Sequence, residues 1–355
     1  MKKIAVLLTL MLIITLLMRC SHKESNPVPT VKKKVAWVVG AADSTGYGMI
    51  LFSLDGGTTW QRQGEGLALL QGIDVEDIWA VDEDVVWAVC TKNTIIRSQN
   101  GGQGWIQIQG PAHPAHPELM SISIIDRTNI WISGSNGAVY NSTDGGDTWI
   151  LFDTNFFHSG GMQGIWAITP QKVFVTGGIG KGRSERGFVG YTLNGGVTWD
   201  SVYPANDYNR NEWIGVVASG STIVVYGGKS HYMVSTDGGA TWRNDSLDVA
   251  GGGGGADINH MIMLNPMTWW AAMDEGHIYL TENAGATWSD QSPGTVGGMY
   301  LVGIDAWDYQ LALVVGQTNG YPPEGKILKT LDGGTTWNVI RTYNSDLFKV
   351  SFIRE

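Results

Sequence analysis

Cysteine is nearly absent from this chain. Its 355 residues include two, Cys20 and Cys90, so a disulfide framework is not what holds the fold, and a chain of this length can build a core that needs no such staples. Charge is scarce as well, at 16% of residues against 43% hydrophobic, which is the profile of a globular chain. Basic residues are outnumbered by acidic ones, 23 to 33, for a net charge of −10. They form no cluster beyond residue 34, which argues against nucleic acid as a partner. Only one long apolar run exists, over residues 4–18, and it is short of the roughly 20 residues that a membrane-spanning helix needs. After that run no segment has helical periodicity, which leaves strands.

What the chain does have is glycine, tryptophan and repetition. It carries 49 Gly and 16 Trp, and an eight-residue box occurs seven times, at residues 53–60, 98–105, 142–149, 192–199, 235–242, 281–288 and 330–337. Each box opens with Ser or Thr, has Asp or Asn third, Gly fifth and Trp last. The third-position residues are Asp55, Asn100, Asp144, Asn194, Asp237, Asn283 and Asp332, and the tryptophans are Trp60, Trp105, Trp149, Trp199, Trp242, Trp288 and Trp337. An Asp or Asn there accepts hydrogen bonds from turn amides, a Gly allows positive φ, and the Trp lies on the outgoing strand, where it can wedge between neighbouring sheets. A catalytic residue is needed once, not seven times, so these positions read as structural. They also lack the clustered oxygen ligands of a calcium loop.

A hairpin turn recurring every 43 to 50 residues predicts a β-propeller, and seven boxes predict seven four-stranded blades. Innermost strands are expected to begin near Ile78, Ser121, Gly164, Ile214, Met261, Val302 and Lys349. The first period starts at a second strand, residues 35–39, and the last ends at residues 348–353 with what reads as a first strand. The C-terminal strand is therefore expected to close the ring by joining the N-terminal blade, leaving no open edge. Cys90, in the apolar stretch 85–90, reads as a lone buried thiol.

The N-terminus carries Lys2 and Lys3, the apolar run, then Arg19 and Cys20. In form this is a secretory signal over residues 1–19. Residues 16–20 resemble a lipobox, with Arg19 where a small residue is usual, and the resemblance implies lipidation at Cys20. Residues 20–34 then form a polar tether, and residues 35–355 the propeller. The expected setting is the bacterial cell envelope, with a membrane anchor through Cys20 and a monomeric protein.

Topology puts all boxes on one face and the long irregular loops on the other, which is where scaffolds usually carry function. Residues mapped to that face as a ligand-binding surface are His113, His116, His158, Arg183, Arg186, Tyr208, Arg210, His260 and Tyr321. Such a polar, aromatic-rimmed funnel would suit a glycan or a peptide. Asp207, Glu212 and Asp257 are the carboxylates a hydrolase would draw on. No metal is expected, because nothing near His113 and His116 completes a ligand set, and no cofactor is expected either.

The boxes resemble the Asp-box (BNR) repeat family over about residues 35 to 355. The likeness to sialidases within that family stops at the boxes, since Arg183, Arg186 and Arg210 come from adjacent blades and do not match a central arginine triad. Xyloglucan-type glycoside hydrolases place a catalytic carboxylate on each of two seven-bladed domains, and one such domain is visible here. Residues 85–105, from the apolar strand through Arg97 and Ser98 to Trp105, resemble photosystem II assembly and stability factors. That resemblance implies an exported, non-catalytic propeller acting by contact with an envelope protein or glycan. A glycoside hydrolase is the alternative.

Overall fold

The computed structural model describes residues 33–111, 117–152, 160–179, 186–202, 212–247 and 255–353. Within them lie seven antiparallel sheets of four strands each, the seven blades expected from the seven boxes. Blade 2 shows the plan, with Val75–Ala80, Val86–Cys90, Thr94–Ser98 and Ile106–Ile108 side by side in chain order. The first strand of every blade packs against the first strands of both neighbouring blades. These seven therefore ring the axis. They are Leu347–Phe352 for blade 1, Val75–Ala80, Leu119–Ile124, Gly161–Ala167, Trp213–Ser219, Ile258–Met263 and Met299–Ala306.

The ring closes as expected. Leu347–Phe352 pairs antiparallel with Ala36–Ala42, Ser351 opposite Trp37 and Lys349 opposite Val39. The last strand of the chain thus supplies the innermost strand of the first blade, and no edge stays open at the seam.

The cores lie between blades. Val86–Cys90 is buried on both faces, which explains its unbroken apolar run. Val86, Ala88 and Cys90 face blade 1, and Trp87 and Val89 face blade 3. There are seven such inter-blade clusters, and each contains one box tryptophan packed against the preceding blade. Trp199 meets Trp131 edge to face at 6.2 Å, and Trp337 meets Trp270 in the same way at 6.2 Å. Pairs of this kind add about 0.5–1.5 kcal/mol beyond the area they bury. Cys90 is fully buried, and burial pushes its thiol pKa far up, so it is an inert core residue.

Each box turn is held by its own side chains. In the first, the Ser53 hydroxyl donates to Asp55 and accepts from the Gly57 N–H at 2.8 Å, while Asp55 accepts from the Thr59 N–H at 2.9 Å. The same two amide bonds recur in the other six boxes. The second box keeps its turn without the usual threonine, because the Gly104 N–H still reaches Asn100. In the sixth, Ala284 stands in place of the first Gly and takes φ +56, a left-handed conformation that costs an alanine about 1 kcal/mol. The box turns bond to the turns between first and second strands, for example Gly145 N–H to Thr128 O at 3.0 Å. Both turn sets therefore share one face.

The inner strands begin one to three residues earlier than their alternation predicts. Every one of them carries a one-residue bulge at the same level, between Val75 and Asp77 in blade 2 and between Ile258 and His260 in blade 6. The others fall at the equivalent place. A bulge breaks the period of two, so a reading by alternation starts the strand after it. For that reason Glu76, Asp77 and His260 belong to the inner ring and not to the loops before it.

Candidate functional site

The bulges give the axis its chemistry. The extra residue in each inner strand is unpaired and differs from blade to blade: Phe348, Glu76, Met120, Gln163, Ile214, Asn259 and Val302. Five of these line a central cavity of about 370 Å³, within the size range of ligand pockets. One position further along stand Lys349, Asp77, Ser121 and His260 in four blades and glycine in the other three. Gly215 is required by a close approach, since a Cβ there would lie 2.2 Å from the Tyr226 hydroxyl oxygen.

Deeper in, Trp79 of blade 2 and Trp166 of blade 4 meet across the small side chains of blade 3, with ring centroids 5.6 Å apart at 61°. Ser123 of blade 3 lies between them in the ring and accepts a hydrogen bond from the Ala167 N–H at 2.9 Å. The cavity thus has an aromatic end toward the boxes and a polar end at the level of the bulges.

Most polar groups in the lining tie adjacent blades together. Asp77 accepts from the Ile122 N–H at 3.0 Å, the Ser121 hydroxyl at 3.2 Å and the Ile78 N–H at 2.8 Å, with Lys349 Nζ at 3.9 Å. Asp305 accepts from the Phe352 and Ala306 N–H groups at 2.8 and 2.9 Å. His260 is buried, and its Nδ1 lies within hydrogen-bond distance of both the Ile304 N–H, at 3.1 Å, and the Ile304 carbonyl oxygen, at 3.0 Å, its role following its tautomer.

Glu76 differs. It is half-buried in the lining and has no hydrogen-bond partner among the described residues. Burial first, then the neighbouring charges of Asp74, Glu118 and Asp77, push its pKa up to about 7. Asp274 beside the cavity is also shifted up, chiefly by burial, although the Asn259 amide donates to it at 2.7 Å. Asp346 is raised by burial and by Asp74. Among the described residues that line the cavity, carboxylates therefore outnumber cations.

The sequence-predicted surface is brought together only in part. His113, His116, His158, Arg183, Asp207, Tyr208 and Arg210 lie outside the described residues, as does Cys20. Arg186 opens the third strand of blade 4, Arg186–Thr192. Tyr321 projects from the loop between the second and third strands of blade 7, 98% exposed, on the face away from the boxes. His260 is 8% exposed and sits in the cavity wall, not on a loop. Asp257 supports a turn, accepting from the Lys229 N–H at 2.8 Å. Glu212 accepts from the side chain of Gln163, one of the bulge residues that line the cavity. Glu76, Asp77, Trp79, Trp166, Asp305 and Lys349 were not singled out from sequence. Superposing the periods on their boxes would have aligned Glu76 with uncharged residues in the other six periods and set Asp77 against Lys349. Among the described residues, no group of three or more His, Cys, Asp or Glu side chains converges as a metal centre would.

Comparison with known proteins agrees with this architecture. Residues 26–152, which reach through the third blade, match the family described as "Photosynthesis system II assembly factor YCF48". The structure of YCF48 bound to D1 peptide is 18% identical, with a TM-score of 0.58 over 75% of this chain and 80% of that one. YCF48 from Cyanidioschyzon merolae is 16% identical, with a TM-score of 0.60 over 86% and 98%. Among curated proteins, a xyloglucanase of Hypocrea jecorina (strain QM6a) is 23% identical over 316 residues, 77% of this chain and 37% of that protein. The chain spans little more than a third of that relative's length.

Proposed function

We propose that this YCF48-like BNR-repeat propeller is a non-catalytic scaffold that holds a segment of a partner protein at the end of the axis away from the boxes. The observation that carries the reading is the central cavity, whose wall includes five non-equivalent bulge residues while the rest of each blade repeats. A hydrolase acting on glycosides needs two available carboxyls about 5–10 Å apart. Here Asp77 and Asp305 are engaged with backbone amides of their own and neighbouring blades, where they hold the ring together. The structure of a YCF48 with a D1 peptide supports peptide binding by a propeller of this kind. The basic and apolar N-terminus with Cys20 supports export and anchoring at the envelope.

A second reading, a glycoside hydrolase, is favoured by the xyloglucanase relative and by Glu76, whose raised pKa is what a general acid requires. One experiment separates the two. The full chain is panned against a displayed random-peptide library and assayed in parallel on chromogenic xyloglucan oligosaccharides. The scaffold reading expects an enriched peptide consensus and no turnover. Turnover that disappears in Glu76→Gln would replace it with the hydrolase.

A further inference from the structure

The cavity combines three features. Its lining holds three carboxylates, Glu76, Asp77 and Asp305, against one ammonium, Lys349. Two of the carboxylates have two or more backbone or side-chain donors each, and Lys349 lies at 3.9 Å from Asp77. Glu76, also in the lining, has no hydrogen-bond partner among the described residues to compete with whatever enters. Behind it stand the Trp79 and Trp166 indoles, and indoles are the best aromatic partners for a cation and a good surface for an aliphatic stem. A volume of about 370 Å³ holds one long side chain with room for water, not an extended chain.

We infer that the cavity takes up a cationic side chain, arginine or lysine, its charge meeting Glu76 and its stem lying against Trp79 and Trp166. This rests on the scaffold reading for the source of the side chain, a partner protein, but not for the chemistry of the pocket. An anionic group has no equivalent place. The lysine in the wall already faces Asp77, and every other charge in the lining is negative. The same asymmetry predicts opposite effects from two substitutions: removing the Glu76 charge weakens the cation site, and removing the Lys349 charge strengthens it. A merely structural role for the two residues gives no such opposition.

The test titrates the full chain with N-acetyl-arginine amide, N-acetyl-lysine amide and N-acetyl-glutamine amide, reading indole emission and heat. The expected result is saturable binding of at least one cationic amide and none of the neutral one, weakened roughly tenfold in Glu76→Gln, as for loss of a charged hydrogen bond. Binding should tighten in Lys349→Met. Melting curves of both variants check that they are folded. No saturation by either cation, equal binding of the neutral amide, or both variants moving affinity in one direction overturns the inference. A library-selected peptide that survives replacement of all its Arg and Lys by Gln also overturns it and leaves the scaffold reading standing. An empty library selection with intact amide binding does the reverse.

Discussion

The two ends of the blades handle carboxylates in opposite ways. On the box face, Asp144 is held down to about 2 by the Thr148 hydroxyl and amide and by Ser142, and Asp237 and Asp332 are lowered by the same donors. Their stabilising contribution is present above the ordinary Asp value and is lost as pH falls through the lowered one. In the cavity, Glu76 is raised by burial and by like charge, with no donor to offset it. A carboxylate that completes a turn is satisfied locally, so it can be copied seven times. One that faces the axis meets six different neighbours and cannot. Repetition therefore marks the scaffold, and the departures from it mark the place where a ligand can be recognised.

That contrast can be pressed at several points. The largest effect is expected where the ring itself is cut. Removing residues 347–355 takes away Leu347, Val350 and Phe352, all buried, and exposes the full edge of Ala36–Ala42. At about 1.5–3 kcal/mol per buried apolar side chain, the loss approaches the whole stability of an ordinary domain. Far-UV circular dichroism should show no cooperative melt, and a truncated chain that melts like the full one would refute closure by this strand.

Next comes Gly146→Ala. The glycine has φ +91 and a Cβ there would sit 2.6 Å from the Trp87 ring, so strain and overpacking together should cost about 2–4 kcal/mol in denaturant melts. Gly66→Ala is the control, with φ +78 and nothing within 4 Å. Only the conformational cost of about 1 kcal/mol is expected there.

Glu76→Gln should act in the other direction. The folded chain binds the Glu76 proton more tightly than the unfolded chain does. That contribution is complete below about pH 4.5, the ordinary Glu value, and is lost as pH rises through about 7. The glutamine variant should match the wild type at pH 4 and exceed it by about 3 kcal/mol at pH 8. An offset that is the same at both pH values would mean the carboxyl is not responsible. The smallest effect is expected for Ala284→Gly in the sixth box, a gain of about 0.5–1 kcal/mol from relieving φ +56. A loss there would show that the methyl's packing against the inter-blade core outweighs its strain.

The fold was almost entirely legible because each cause is local. A Ser or Thr, an Asp or Asn, a Gly and a Trp at fixed spacing build the same turn wherever they occur, and seven turns set seven blades. The closing strand was legible too, since the first period lacks what the last has in excess. The cavity was not, because the bulges that shape it interrupt the very alternation by which strands are read. Thus Glu76 and Asp77 fall before the strand start expected at Ile78, and His260 reads as a loop or loop-border histidine.

The sequence by itself determined the blade count, the turn chemistry and the closure, for these depend on contacts between residues a few positions apart or on a count of periods. Only the tertiary structure decided what the axis presents. Trp79 meets Trp166, Asp77 meets Lys349, and Glu76 stands beside Glu118 because the ring brings different blades to one line. The pKa of Glu76 is a sum of burial and charge over residues far apart in the chain, which no local pattern encodes.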